Sequence, residues 1–167
     1  NWMVHRSCFE KDISLAGLKY PEDYDLVFRW MEAGYQIAAV NEVTHFWREH
    51  PGRTSRNSEV YQQASFFRLK TDYFVKLKLV ANEPVQLIGS GAKAKLVASH
   101  LRANQIPFTA FDFGEKGLKK GGRSIHDLNP DHQTILTNWP VSEKIQEEIV
   151  AFLKSKKLYF GHNVWLF

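Results

Sequence analysis

Apolar side chains recur along this chain with two different rhythms, and the rhythm changes near residue 82. After Tyr20, the positions Leu26, Trp30 and Ala33 are spaced for one buried face of a helix. Pro21-Glu22-Asp23-Tyr24-Asp25 opens that helix with carboxylates at the positive end of its dipole, and Gly34 is its stop. Gln36-Ile37-Ala38-Ala39-Val40 and Val43-Thr44-His45-Phe46-Trp47-Arg48 are rich in β-formers and predict two short strands. Pro51-Gly52 marks a turn in the loop from Glu49 to Asn57. A long helix is predicted from about Ser58, its cap, to Val80, with Phe66, Leu69, Tyr73, Leu77 and Val80 on one stripe. Val60, Ala64, Phe67 and Phe74 widen the stripe, as in a helix covered on two sides that joins two units. Ala81-Asn82-Glu83-Pro84 ends it, because proline disfavours helix in the residue before it.

Beyond that break, strand-like and helix-like segments alternate. Val85-Gln86-Leu87-Ile88, Phe108-Thr109-Ala110-Phe111, Thr134-Ile135-Leu136-Thr137 and Val164-Trp165-Leu166-Phe167 read as strands. Ala92 to Ala103 reads as a helix, as does Ser142 to Lys156 with Ile145, Ile149 and Leu153 on one face. Alternation of this kind predicts a parallel sheet with right-handed crossovers, hence an α/β class. The expected organisation is a first segment at 1–57, a connecting helix at 58–82 and a small parallel-sheet domain at 83–167.

Composition narrows the possibilities. The chain has 167 residues, 44% hydrophobic and 14% aromatic, enough to bury a core rather than stay disordered. It has no run of 18 or more apolar residues, and Asn1 to Arg6 lacks the parts of a signal peptide, so no transmembrane segment is expected. Cys8 is the only cysteine, which excludes an intrachain disulfide and a cysteine-based zinc site and makes a cytoplasmic setting the simplest expectation. The net charge of +4 is local: −1 over 1–57, +1 over 58–83 and +4 over 84–167. The excess lies chiefly in Lys116, Lys119, Lys120 and Arg123, and in Lys154, Lys156 and Lys157 at a helix end. With no arginine-rich helix or aromatic–basic platform, a nucleic-acid partner is not expected. Asn1 is not an initiator methionine and the chain opens in an apolar segment without a cap, which reads as a piece of something longer.

Two constellations carry chemistry. The first is Glu22-Asp23, held at a helix start, ionised by the dipole and suited to taking a proton from a hydroxyl. The downstream Arg48 and His50 have the chemistry to neutralise a phosphate leaving group. An acidic first turn is ordinary in helices, so the pair alone decides nothing. The order His5-Arg6-Ser7, Pro21-Glu22-Asp23-Tyr24-Asp25-Leu26, Glu32-Ala33-Gly34-Tyr35 and Trp47-Arg48-Glu49-His50-Pro51-Gly52 resembles the C-terminal third of bacterial family 2 glycosyltransferases. These are inverting enzymes of the GT-A fold with nucleotide-sugar donors and a divalent metal, Mn or Mg. The resemblance covers about residues 2–57 and makes residues 1–57 the end of a GT-A domain. It implies that Asp23 is the general base for an acceptor hydroxyl, saccharide or lipid-linked, and that Glu22 lines the acceptor site. Trp47, Arg48 and His50 would lie toward the donor, with His50 a metal contact. The family's nucleotide-binding strands and Asp-x-Asp element have no counterpart in this sequence, since Asp23-Tyr24-Asp25 lies in the helix-start motif; the chain by itself is expected to be inactive.

The second constellation is Ile88-Gly89-Ser90-Gly91-Ala92-Lys93-Ala94, a G-x-G-x-x-A turn between strand and helix, with Asp112 after the next strand, 21 residues beyond Gly91. Glycines that admit a phosphate, free helix-start N–H groups and an acid for a ribose hydroxyl suit NAD or another nucleotide. The same turn serves a Rossmann-like scaffold with an empty cleft equally well. Residues 83–167 resemble, weakly, the Rossmann-like appendage that some family 2 glycosyltransferases carry. The rival to an enzyme is therefore a non-enzymatic nucleotide-binding or interaction module built on Gly89, Gly91 and Asp112. A third reading gives the helix after Ser58 an assembly role, its exposed apolar face forming a homodimer. The lysines of the Gly114–Gly122 stretch have the charge for an anion, although such loops are usually just solvated. The remaining histidines show no H-x-x-x-H spacing.

Overall fold

A computed structural model of the protein describes residues 3–9, 20–38, 40–46, 48, 50–53, 57–80, 83–113 and 122–167. The chain divides into two compact units, residues Asn1–Leu69 and Lys70–Phe167. The division falls inside one helix.

The first unit is organised by helix α1, Glu22–Glu32. Pro21 presets the backbone for its start, and the Asp25 N–H closes the first turn on the Pro21 carbonyl at 3.0 Å. Gly34 ends it with φ +84°, a left-handed conformation that lets the Gly34 N–H reach Met31 O and the Tyr35 N–H reach Trp30 O. Leu26 and Trp30 are buried as their spacing predicts, whereas Ala33 is an exposed cap residue. Their partner is a 3-10 turn at Arg6–Phe9: Trp30 Nε1 donates to Cys8 O at 3.2 Å, and Phe9 meets the indole edge-on at 5.6 Å. Cys8, Leu26 and Trp30 form a buried cluster of this unit.

The strands predicted at 36–40 and 43–48 are not formed by the described residues of those segments, with Ala39 and Trp47 lying outside the description. Ile37, Val40, Val43 and Phe46 are exposed, Phe46 by 89%. A strand needs a hydrogen-bonded neighbour as well as β-branched residues, and no neighbour is present for these residues among those described. The long helix also starts later than predicted. Ser58 caps a separate 3-10 turn, Glu59–Tyr61, through its hydroxyl and the Val60 N–H; Gln62 is extended (ψ 153°) and breaks the path. Helix α2 is Gln63–Lys78. Phe67, Thr71 and Phe74 are buried along one side of it and Leu69 on roughly the opposite side at 3.6 residues per turn, so two of its sides are covered. The predicted break at Ala81-Asn82 lies outside the described residues.

The second unit is a five-stranded, all-parallel sheet with the strands β1 Val85–Ile88, β2 Phe108–Asp112, β3 Arg123–Ser124, β4 Thr134–Leu136 and β5 Val164–Leu166 in the order β3-β2-β1-β4-β5. Helices α3, Ala92–Ala103, and α4, Glu143–Ser155, make the crossovers from β1 to β2 and from β4 to β5. The first crossover moves away from β4 and the second away from β1, so right-handed connections send the two helices to opposite faces. The central strand β1 is buried at all four positions, as a strand covered on both faces must be. Ile88, Phe111, Leu136, Leu153 and Val164 pack together on the α4 side. Trp165, next along β5, turns to the other face and meets Phe74 of α2. There His100 of α3 contacts Asp72 of α2 at 2.5 Å. β3, only two residues long, has no periodic signal in the sequence, and Ile145 is 47% exposed rather than buried with Leu153. No helix among the described residues is long and apolar enough to cross a membrane.

Candidate functional site

The acidic constellation stands at the first turn of α1, where Glu22, Asp23 and Asp25 follow Pro21. The three carboxylates have different environments. Asp25 is 4% exposed and its Oδ2 pairs with Arg29 Nε at 2.7 Å one turn on, so it is a packing residue and not half of a metal-binding Asp-x-Asp. Asp23 is partly exposed; its Oδ1 accepts the Tyr24 N–H at 2.9 Å. Glu22 is exposed, and both its oxygens accept from the Tyr61 hydroxyl at 2.5 Å.

Tyr61 is the residue of this site that sequence reasoning missed. Its partner lies 39 positions away, and nothing periodic links a tyrosine in a 3-10 turn to a helix start. Burial, the bond to Glu22 and the charges of Glu22 and Asp23 push its ionisation far above the ordinary 10.0, keeping it a neutral donor.

The donor-side residues are less tightly placed. Arg48 and His50 are exposed in irregular backbone, and Trp47 lies outside the described residues. The turn after His50 is pinned by Asn57, whose Nδ2 donates to Pro51 O at 3.0 Å and Arg53 O at 2.8 Å. Among the described residues no group of three or more His, Cys, Asp or Glu gathers to hold a metal ion.

The glycine constellation is brought together at the carboxyl end of the sheet. Ile88 pairs with Phe111, which puts Gly89 beside Asp112, the last residue of β2 rather than the one after it. The Gly89 N–H donates to Phe111 O at 2.9 Å. Gly89 has φ +126°, and a Cβ there would lie 2.4 Å from Thr137 Oγ1. That hydroxyl donates to Ile88 O at 2.9 Å, so the close approach at Gly89 serves the neighbouring strand end. Gly91 differs: a Cβ there would meet nothing within 4 Å, and as the α3 cap residue it gives the helix start no side-chain bond. Gly91 therefore leaves room beside the start of α3, next to the point where the sheet order reverses between β1 and β4. The lysines of the Gly114–Gly122 stretch lie outside the described residues. A groove along α4, beside Trp139 and the carboxylates of Glu143 and Glu147, involves none of these groups. Compared with family models, curated proteins and solved structures, the chain matches none of them.

Proposed function

We propose that this chain contributes the acceptor-activating end of an inverting glycosyltransferase. In this reading Asp23 takes the proton of an acceptor hydroxyl as its oxygen attacks the anomeric carbon of a nucleotide-sugar. The bond from that carbon to the diphosphate breaks and the configuration inverts. Glu22 lines the acceptor site; Arg48, His50 and Trp47 face the donor. The observation that carries the reading is the division of labour at the α1 start: Asp25 is buried in a pair, Glu22 is held by Tyr61, and Asp23 remains the partly exposed carboxylate at the positive end of the helix. No step here runs through the divalent metal that the resemblance implies. In the full-length protein Asp23→Asn is expected to lower turnover by about 10²-fold or more, the usual worth of a general base, with donor affinity retained. Near-normal turnover would remove the assignment.

A second reading, a nucleotide-binding module in the second unit, is favoured by the open space at Gly91, two residues after Gly89, which lies beside Asp112. The α3 N–H groups would take the phosphate and Asp112 a ribose hydroxyl. Calorimetry with NAD and a panel of nucleotides tests it: binding that Gly91→Val abolishes supports it, and no heat from the panel removes it.

A further inference from the structure

Tyr61 belongs to none of the motifs that point to the acidic pair, yet its hydroxyl bonds one member of it, Glu22. It rides on a 3-10 turn with its own cap at Ser58, separated from α2 by the extended Gln62. Its hydroxyl reaches back to Glu22, where its one proton is shared between the two carboxylate oxygens. The ring is braced in turn. Phe66 lies 6.4 Å from it and meets Tyr24, the residue after Asp23, edge-on at 4.8 Å. One aromatic chain, Tyr61–Phe66–Tyr24, therefore joins the 3-10 turn to the helix start, while the Tyr61 hydroxyl bonds Glu22.

A carboxylate oxygen that already accepts one donor has fewer lone-pair directions left for a second hydroxyl. Glu22 has both oxygens on Tyr61. Asp23 has one oxygen on the Tyr24 N–H, and among the described residues its other oxygen carries no hydrogen bond. We propose that Tyr61 is a positioning residue that holds Glu22 aside and so selects Asp23 as the carboxylate that meets the acceptor hydroxyl. The inference rests on the glycosyltransferase reading of Asp23.

Tyr61→Phe keeps the ring and its packing on Phe66 and removes only the hydroxyl. In the full-length protein it is expected to lower kcat about tenfold, within the range that misplacement of a reacting group costs, with the KM for donor and acceptor unchanged. A merely structural tyrosine would lower the thermal midpoint or raise KM and leave kcat alone. A second readout needs no activity: in this chain Glu22→Gln should bring the ionisation of Tyr61 down toward the ordinary tyrosine range, read as the tyrosinate absorbance that Tyr61→Phe removes. If that ionisation does not move, the contact is absent and the proposal fails whatever the activity. If it moves but Tyr61→Phe turns over at the wild-type kcat, the positioning role fails and the reading of Asp23 stands. If Asp23→Asn turns over normally, the reading fails and Tyr61 falls with it.

Discussion

A methyl group at residue 89 would lie 2.4 Å from the Thr137 hydroxyl oxygen on a backbone held at φ +126°, whereas at residue 91 it would point into open space. Gly89→Ala is therefore expected to cost about 2–4 kcal/mol, from strain in the left-handed region and from overpacking together. Gly91→Ala should change stability by no more than about 0.5 kcal/mol, since it lies outside the helix interior and displaces nothing. Denaturant melts of the two variants decide the matter; equal losses would mean that both glycines are architectural. The contrast gives Gly91 its use as a probe of nucleotide binding, because a change there alters the space before α3 without unfolding the sheet. The G-x-G-x-x-A spacing makes the turn legible in sequence. It does not tell which glycine serves geometry, because the deciding atom, Thr137 Oγ1, comes from the end of another strand. Tyr61 was hidden for the same reason: its meaning depends on a partner 39 residues earlier.

Between elements, the second unit is tied together by buried polar groups as well as by its apolar core. Gln86, in the fully buried β1, accepts the Asn129 N–H at 2.7 Å and donates to Asn129 O at 2.8 Å and Thr134 Oγ1 at 2.9 Å. It thus clamps the segment that leads into β4. Gln86→Leu keeps the volume but leaves the Asn129 N–H and C=O without this partner, which should cost about 2–4 kcal/mol, the desolvation penalty of one to two such groups. A variant as stable as wild type would show that water replaces the amide. Four of the five strands and both crossover helices of this unit are legible because each is fixed by its own local pattern: four apolar-dominated positions in β1, and Ala94, Val97, Ala98 and Leu101 on one face of α3; β3, two residues long, has no such pattern. Segments 36–40 and 43–48 misled because β-propensity reports fitness for a sheet, not the presence of one. The start of the long helix misled because Ser58 caps a 3-10 turn as readily as an α-helix, and Gln62 then leaves the helical path.

For the molecule as a whole, the two units differ in what holds them. Among the described residues the first has Cys8, Leu26 and Trp30 as its buried cluster, while the second buries three full strand positions of β4, all of β1 and a face of α3. Differential scanning calorimetry is expected to show two transitions, the weaker belonging to the first unit. Their responses to alkaline pH should have opposite signs. Tyr61 ionises well above 10.0 in the folded protein, so its contribution is full below about pH 10 and is lost as pH rises beyond that value. Lys70 in α2 goes the other way: burial, helped by the charge of Lys93, lowers its affinity for a proton below the ordinary 10.5. The unfolded chain then binds more protons than the folded one, and the cost of charging Lys70 is relieved as pH rises through its folded value toward 10.5. Raising the pH through this range should therefore lower the first transition relative to the second. Tyr61→Phe is expected to flatten the response of the first, and Lys70→Met that of the second while raising its midpoint at neutral pH. A single transition, or two that shift together in both variants, would mean that the units share one cooperative fold and that neither group is titrating within its own unit.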